Sequence, residues 1–323
     1  MTGPALTGDV VVTARSYSGG SVDVESQLTA AGLRVLRAPA DHDLATLAGA
    51  LSGAVAWIAG TGPVGPEHLA AAPHLRIVAR YGVGVDAVDL AAAEARGVLV
   101  TNTPGANSTA VAEHALTLLL AAMRHVVRDD RQLRAGDTSV TRARELTGMR
   151  VGIVGFGRIG RALCVRLQAL GVQVLASDPW LSDEDVRAAG AEPADLAGLA
   201  DCDALSLHAP GGEAVLDAAA LERLRPDCIV VNTARAALVD AGAVAAALRE
   251  GRLGCYATDD LGPAPEGGHP LLAPDLADRV IATPHSAAQT VEAVDNMGTG
   301  STRAVLDVLA GRTPANRVPA PHS

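Results

Sequence analysis

Two periodicities alternate along the chain. Short runs dominated by Val, Ile and Leu recur at 9–14 (DVVVTA), 34–38 (RVLRA), 54–60 (AVAWIAG), 75–82 (LRIVARYG) and 97–102 (GVLVTN), separated by Ala- and Leu-rich stretches at helical spacing. β-Branched runs of this length predict strands, and their strict alternation with helices predicts a parallel sheet covered by helices. Residues 108–124 read as one long apolar helix, a connector between two units. A second series begins at Met149, with strands predicted at 149–155, 172–177, 204–209, 228–233, 255–259 and 279–284. A helical stretch at 287–310 ends at Gly311, with Pro314 beyond it as a stop signal. Because the second series looks complete by about residue 283, this tail is expected to pack back on the first unit. The expected architecture is α/β: two Rossmann-like or flavodoxin-like parallel-sheet domains with a cleft between them. The expected domains are 1–102 plus 284–323, and a central one, 103–283, that includes the connecting helix. A Pro/Gly-rich loop at 261–274 is placed to hang over a cleft.

Composition agrees with two globular units. The 323 residues are about twice the ~150 of a typical domain, and 49% hydrophobic with 19% charged residues is enough to build a core. The formal net charge is −10 and Lys is absent, so every basic side chain is Arg. That balance argues against a nucleic-acid partner held by phosphate contacts. It also excludes Schiff-base chemistry on Lys and a Lys-bearing phosphate loop. The apolar run 115–123 is far shorter than the ~20 residues of a membrane span, and the N-terminus shows no secretory pattern, so a cytoplasmic protein without a membrane partner is expected. Cys164, Cys202, Cys228 and Cys255 are isolated and read as buried thiols, with no metal implied.

One motif carries chemistry. Gly155, Gly157 and Gly160 form G-x-G-x-x-G directly after the apolar strand 149–155 and at the opening of a helix predicted at 158–170. In that order of strand, turn and helix, the glycines let backbone N–H groups approach a pyrophosphate at a helix N-terminus. Asp178, 18 residues after Gly160, ends the next strand, where its carboxylate can accept from the adenosine ribose hydroxyls. No Arg flanks it to neutralise a 2′-phosphate, so the expected cofactor is NAD.

At this point RYGVGVDAVDL (80–90), TNTPGANSTAVAEHAL (101–116), GIVGFGRIGRAL (152–163), LSLHAP (205–210), VVNTARAALVD (230–240) and ATPHSA (282–287) resemble, in order, segments of the D-isomer-specific 2-hydroxyacid dehydrogenases, on the phosphoglycerate dehydrogenase-like side. The resemblance implies a split substrate domain around a central NAD domain, with the active site in the cleft between them. It also implies a homodimer acting on a small acid, and chain length argues against the extra regulatory domain of some relatives. Arg235 matches the Arg that holds the substrate carboxylate, and His285 the acid/base that protonates the keto oxygen as hydride arrives. Val83 and Gly84 match backbone donors to the carboxylate. Arg158, Ile159, His208, Ala209, Thr233, Ala234, Asp259, His285 and Ala287 match positions beside the cofactor, while Glu113 and His114 read as structural or hinge groups.

Two departures stand out. The family's Glu, 29 residues after the Arg and paired with the His, falls on Ala264 here; Glu266 and Asp260 are the nearest carboxylates, and Glu266 is carried as the candidate third catalytic residue. The phosphate-gripping Arg of phosphoglycerate-specific members falls on Ala59 or Gly60, which makes phosphoglycerate a poor candidate substrate. In addition, Ala236 replaces a usual Gly after Arg235. The expected function is NAD-dependent hydride transfer with a small 2-hydroxy or 2-keto acid. The alternatives are a catalytically weak NAD(H)-sensing regulator, as in the corepressors that resemble these dehydrogenases, or a dehydrogenase of a phosphonate- or phosphite-type acid.

Overall fold

The computed structural model of the chain describes residues 6–320. The apolar runs form strands β1 (Asp9–Val12), β2 (Arg34–Arg37), β3 (Ala54–Ala59), β4 (Ile77–Arg80) and β5 (Leu99–Thr101), then β6 (Arg150–Val154), β7 (Gln173–Ser177), β8 (Glu192–Pro193), β9 (Ala204–Leu207), β10 (Ile229–Asn232), β11 (Cys255–Thr258), β12 (Val280–Ala282) and β13 (Arg317–Val318). Most strands stop one or two residues short of the apolar run, because the chain turns there to bring polar groups and glycines to the sheet ends. The chain divides into two compact units: the described residues up to Asn107 together with those from Ala288 on, and Ser108–Ala287.

In the first unit the order is β13-β5-β4-β3-β1-β2, parallel except for β13 against β5. The strand order reverses between β1 and β3. There Thr13 Oγ1 accepts from Trp57 Nε1 (3.0 Å) and Gly60 N (3.1 Å) and lies 2.6 Å from His42 Nε2. With both hydroxyl lone pairs used, the Thr13 proton must point at His42, whose Nδ1–H then donates to the Pro63 carbonyl at 2.8 Å. His42 is therefore neutral, and burial, the largest influence on it, lowers its pKa.

The second unit holds the order β12-β11-β10-β9-β6-β7-β8, all parallel. Starting from β6, two strands run one way and four the other, the doubly wound arrangement that opens a ligand crevice at the carboxyl ends of β6 and β9. One face is filled by Leu118, Leu119, Met123, Ile153, Leu163 and their neighbours, the other by Leu205, Leu221, Val244, Leu248 and Tyr256 among others. Such two-sided burial is why these strands are continuously apolar rather than alternating.

Five elements differ from the sequence expectation. The connecting helix ends at Met123, and His125 turns through a positive φ of 56° into a second helix, Val126–Arg134, which the apolar pattern could not show because it fully buries no side chain. The two-residue strands β8 and β13 are too short for any periodicity to reveal them. The last helix spans Val291–Leu309 and starts at Thr290, whose side chain caps Ala293 N, rather than at residue 287. Among the described residues no single helix is long and apolar enough to cross a membrane.

Candidate functional site

The glycine turn joins β6 to the helix Arg158–Ala169. Gly155 adopts φ +87°, and a Cβ there would lie 2.5 Å from Ala209 N; a Cβ on Gly160 would lie 2.4 Å from Gly155 O. Both positions need glycine so that helix and strands can approach. Gly157 is different. A Cβ there would meet nothing within 4 Å, so its glycine leaves open space in front of the helix N-terminus. No side chain caps that terminus, whereas Asp217 and Asp240 cap the helices Ala218–Arg223 and Ala241–Arg249. The free N–H groups beside Arg158 and Ile159 are available to an anion.

Around this turn the strand ends supply unfulfilled polar atoms. Asp178, just past β7, accepts from Phe156 N (2.7 Å) and Trp180 N (3.0 Å), which fixes the carboxylate and leaves lone pairs for hydroxyl donors. At the end of β9, His208 Nε2 pairs with Ser206 Oγ at 2.9 Å, and burial pushes its imidazole down to about 4. His208 Nδ1 and Thr233 Oγ1, at the ends of β9 and β10, are buried and partnerless among the described residues. Buried polar atoms without partners are costly, and a polar ligand lying across these strand ends would satisfy them. The residues present therefore fit a dinucleotide.

Arg235 follows β10 in a tightly laced turn. Asn232 Nδ2 donates to the Arg235 carbonyl (2.9 Å) and Asn232 Oδ1 accepts from Ala234 N (3.0 Å), while Arg235 Nη1 donates to the Ala234 carbonyl (2.9 Å). His285 sits beyond β12 on an exposed loop with φ +54°, a region that non-glycine residues seldom occupy. Its N–H donates to the carbonyls of Asp259 (2.9 Å) and Thr283 (3.0 Å).

Asp259 organises that loop. Only 3% exposed, its carboxylate accepts from Thr283 Oγ1, Ser286 N (2.8 Å) and Ala287 N (2.8 Å). His114 on the connecting helix reaches Thr283 Oγ1 at 3.0 Å and the Asp259 carboxylate at 3.5 Å. Burial raises the Asp259 pKa, but the hydrogen bonds from His114, Thr283, Ala287 and Ser286 outweigh it and bring it down to about 2. Sequence reasoning placed Asp259 and Ala287 beside the cofactor and His114 in a structural role; it missed Thr283, Ser286 and Asn232. Only their positions next to His285 and Arg235 in the chain could have flagged them.

The other proposed carboxylates lie elsewhere. Asp260 bonds Ala236 N and Gly262 N. Glu266 and Ala264 are exposed, and among the described residues Glu266 has no hydrogen bond or ion pair. In the first unit, the 81–88 loop carrying Val83 and Gly84 is fastened by Asn102 Nδ2 to the Val83 carbonyl (2.8 Å) and by Thr103 N to the Gly82 carbonyl (2.9 Å). Ala59 is fully buried, and a Cβ on Gly60 would lie 2.7 Å from Thr13 O. A side chain at Gly60 would therefore meet the backbone, and Ala59 presents only a buried methyl. All four cysteines are buried free thiols, and among the described residues no cluster could hold a metal.

A glycine-turn dinucleotide site on a doubly wound sheet defines the class, and comparison with known proteins gives the family. Residues 116–287 match the family model described as D-isomer specific 2-hydroxyacid dehydrogenase, NAD binding domain. The chain belongs to this family, and its cofactor is NAD. It is 42% identical over 254 residues to the D-3-phosphoglycerate dehydrogenase of Mycobacterium leprae, covering 77% of this chain and 48% of the relative. The chain thus spans about half the length of the phosphoglycerate dehydrogenases it matches. It is 33% identical to the glyoxylate reductase of Thermococcus litoralis, covering 80% of this chain and 81% of that one. Among solved structures, a protein of Thermus thermophilus superposes with a TM-score of 0.85 at 33% identity, over 96% of this chain and 99% of that one.

Proposed function

We propose that this protein catalyses hydride transfer between NAD(H) and a small 2-hydroxy or 2-keto acid. The observation that carries the reading is the pair Arg235 and His285, each locked by its own hydrogen-bonded turn on the sheet that bears the dinucleotide site. NAD(H), when bound, supplies or accepts the hydride at C2 of the acid. Arg235 grips the carboxylate in a fork and so orients C2. His285 gives a proton to the keto oxygen during reduction and takes it from the hydroxyl during oxidation. Gly155, Gly157, Arg158, Ile159 and Gly160 hold the pyrophosphate, Asp178 the adenosine ribose, and His208, Ala209, Thr233, Ala234 and Ala287 border the rest of the cofactor.

The reading treats Ala264 as a true loss of the family's dyad carboxylate, supported by the exposure of Glu266 and by the bonds that occupy Asp260 elsewhere. It also sets 3-phosphoglycerate aside, because Ala59 and Gly60 stand where a phosphate-gripping Arg would be needed. A cytoplasmic homodimer completes the reading; the exposed Val126, Val127, Leu133 and Val140 support self-association.

The test is NADH consumption over glyoxylate, pyruvate, hydroxypyruvate and longer 2-keto acids, with NAD reduction by 3-phosphoglycerate in parallel. At least one keto acid is expected to turn over well and 3-phosphoglycerate poorly. Arg235→Ala should raise KM and lower kcat, and His285→Ala should lower kcat alone. Wild-type kinetics in both variants would refute the mechanism, and loss of turnover in Glu266→Gln would return a displaced carboxylate to the site.

A further inference from the structure

Asp260 follows the buried Asp259, yet it turns the other way. Its Oδ2 accepts from Ala236 N at 3.3 Å, and its Oδ1 accepts from Gly262 N at 3.0 Å. Its own backbone is pinned by Thr258, whose hydroxyl donates to the Asp260 carbonyl (2.9 Å) and accepts from Asp260 N (3.2 Å). Ala236 N is the first amide of the short helix Ala236–Leu238, which has no side-chain cap on Arg235. Such an amide lacks an intrahelical partner, and Asp260 supplies one from 24 residues further along the chain.

The peptide plane that Asp260 holds is the one between Arg235 and Ala236. Its orientation sets the backbone angles from which the guanidinium projects, and Arg235 is extended there, with φ −137° and ψ 140°. The two turns also fit by shape. Gly262 has φ +70°, and a Cβ on it would lie 2.9 Å from the Ala236 Cβ, so the methyl of Ala236 occupies the space that a side chain at 262 would fill. Ala236, Gly262 and Asp260 thus form one joint between the Arg235 turn and the 260–268 loop.

We infer that Asp260 is a positioning residue for the substrate clamp: by holding the Ala236 N–H it fixes the direction of Arg235. This rests on the reading of Arg235 as the carboxylate-binding residue. It places Asp260 outside proton transfer, because both its oxygens are engaged by backbone amides. A clamp displaced by ~1 Å weakens substrate orientation by up to ~10²-fold, so removing the tie acts on the acid rather than on the cofactor.

The experiment compares the wild type with Asp260→Ala and Asp260→Asn in three measurements: hydrogen exchange of the 232–238 segment, the affinity of the NADH complex for oxamate, and the kinetics of glyoxylate reduction across pH. Asp260→Ala should speed exchange at 232–238 and weaken oxamate by about tenfold or more, with KM for glyoxylate rising in step. NADH affinity should stay within about threefold. Asp260→Asn keeps an oxygen that can accept from Ala236 N, and should restore most of the oxamate affinity with the pH profile of kcat unmoved. Unchanged exchange and oxamate affinity in Asp260→Ala would overturn the inference. So would a shifted kcat profile with unchanged KM in Asp260→Asn, which would make Asp260 a proton-transfer partner. Should the wild type neither bind oxamate nor reduce glyoxylate, the substrate reading falls, and exchange at 232–238 still decides whether Asp260 holds the turn.

Discussion

Replacing Asp259 with Asn removes a charge and reverses one end of a hydrogen-bonded cluster. The carboxylate accepts from two backbone amides, Ser286 N and Ala287 N, and from Thr283 Oγ1, with His114 nearby. An amide side chain offers one acceptor oxygen and turns an NH₂ toward groups that are themselves donors, so at least one buried N–H loses its partner, at about 1–3 kcal/mol. The charge can be treated separately. The folded pKa is brought from 3.8 to about 2, so the ionised form is favoured in the native state by about 2 kcal/mol. Because the folded pKa lies below the unfolded one, that stability is present above about pH 4 and is lost as pH falls toward 2. Asp259→Asn should therefore lower the melting temperature of the second unit by about 5–10 °C at pH 7. It should also flatten the acid limb of the stability curve between pH 4 and 2. Exchange at the 283–287 amides should accelerate, and kcat should fall by about 10²-fold as His285 leaves its strained conformation. Thermal melts at several pH values, exchange and steady-state kinetics read these separately. A variant with a melting temperature within about 2 °C of wild type, an unchanged acid limb and protected 283–287 amides would refute the account of Asp259 as organiser of the His285 loop.

The glycine turn gives a paired prediction. Gly160→Ala must push its methyl into Gly155 O and should destabilise the fold, whereas Gly157→Ala meets open space and should leave the melting temperature unchanged while weakening NADH binding by tenfold or more in a fluorescence titration. At Asp178, calorimetry should show NAD bound more than tenfold tighter than NADP, and Asp178→Ala should narrow that gap; equal affinities in the wild type would remove the ribose assignment. In the first unit, His42 has a lowered pKa and would need a third acceptor site on Thr13 to hold a proton. Stability there should be full above pH 6.5 and decline below it, as the unfolded histidine takes up a proton that the folded one resists. In a Trp180→Phe background, emission from the buried Trp57, whose ring lies 4.9 Å from His42, should report this decline, and a flat profile from pH 7 to 5 would contradict it.

The sequence by itself determined the elements that bury apolar surface and the site that hangs on one of them. Runs such as AVAWIA and RVGIV can satisfy their backbone and their side chains together only as central parallel strands, so the two α/β series were legible from composition and period alone. The glycine turn was legible because Gly155 and Gly160 answer a local steric demand at fixed spacing from β6. The roles proposed for Arg235 and His285 rest on resemblance, since a lone Arg or His after a strand carries no local signature. Tertiary structure decided what no period encodes. The helix Val126–Arg134 fully buries no residue, and β13 exists only because a distant edge, β5, accepts it. The roles of the carboxylates were decided in the same way. Asp259 and Asp260 are adjacent in sequence, but alternate backbone directions send one to the 283–287 amides and the other to Ala236 and Gly262. A carboxylate takes its function from the donors that surround it, and those donors come largely from segments more than twenty residues away whose approach is set by sheet order rather than by the local chain.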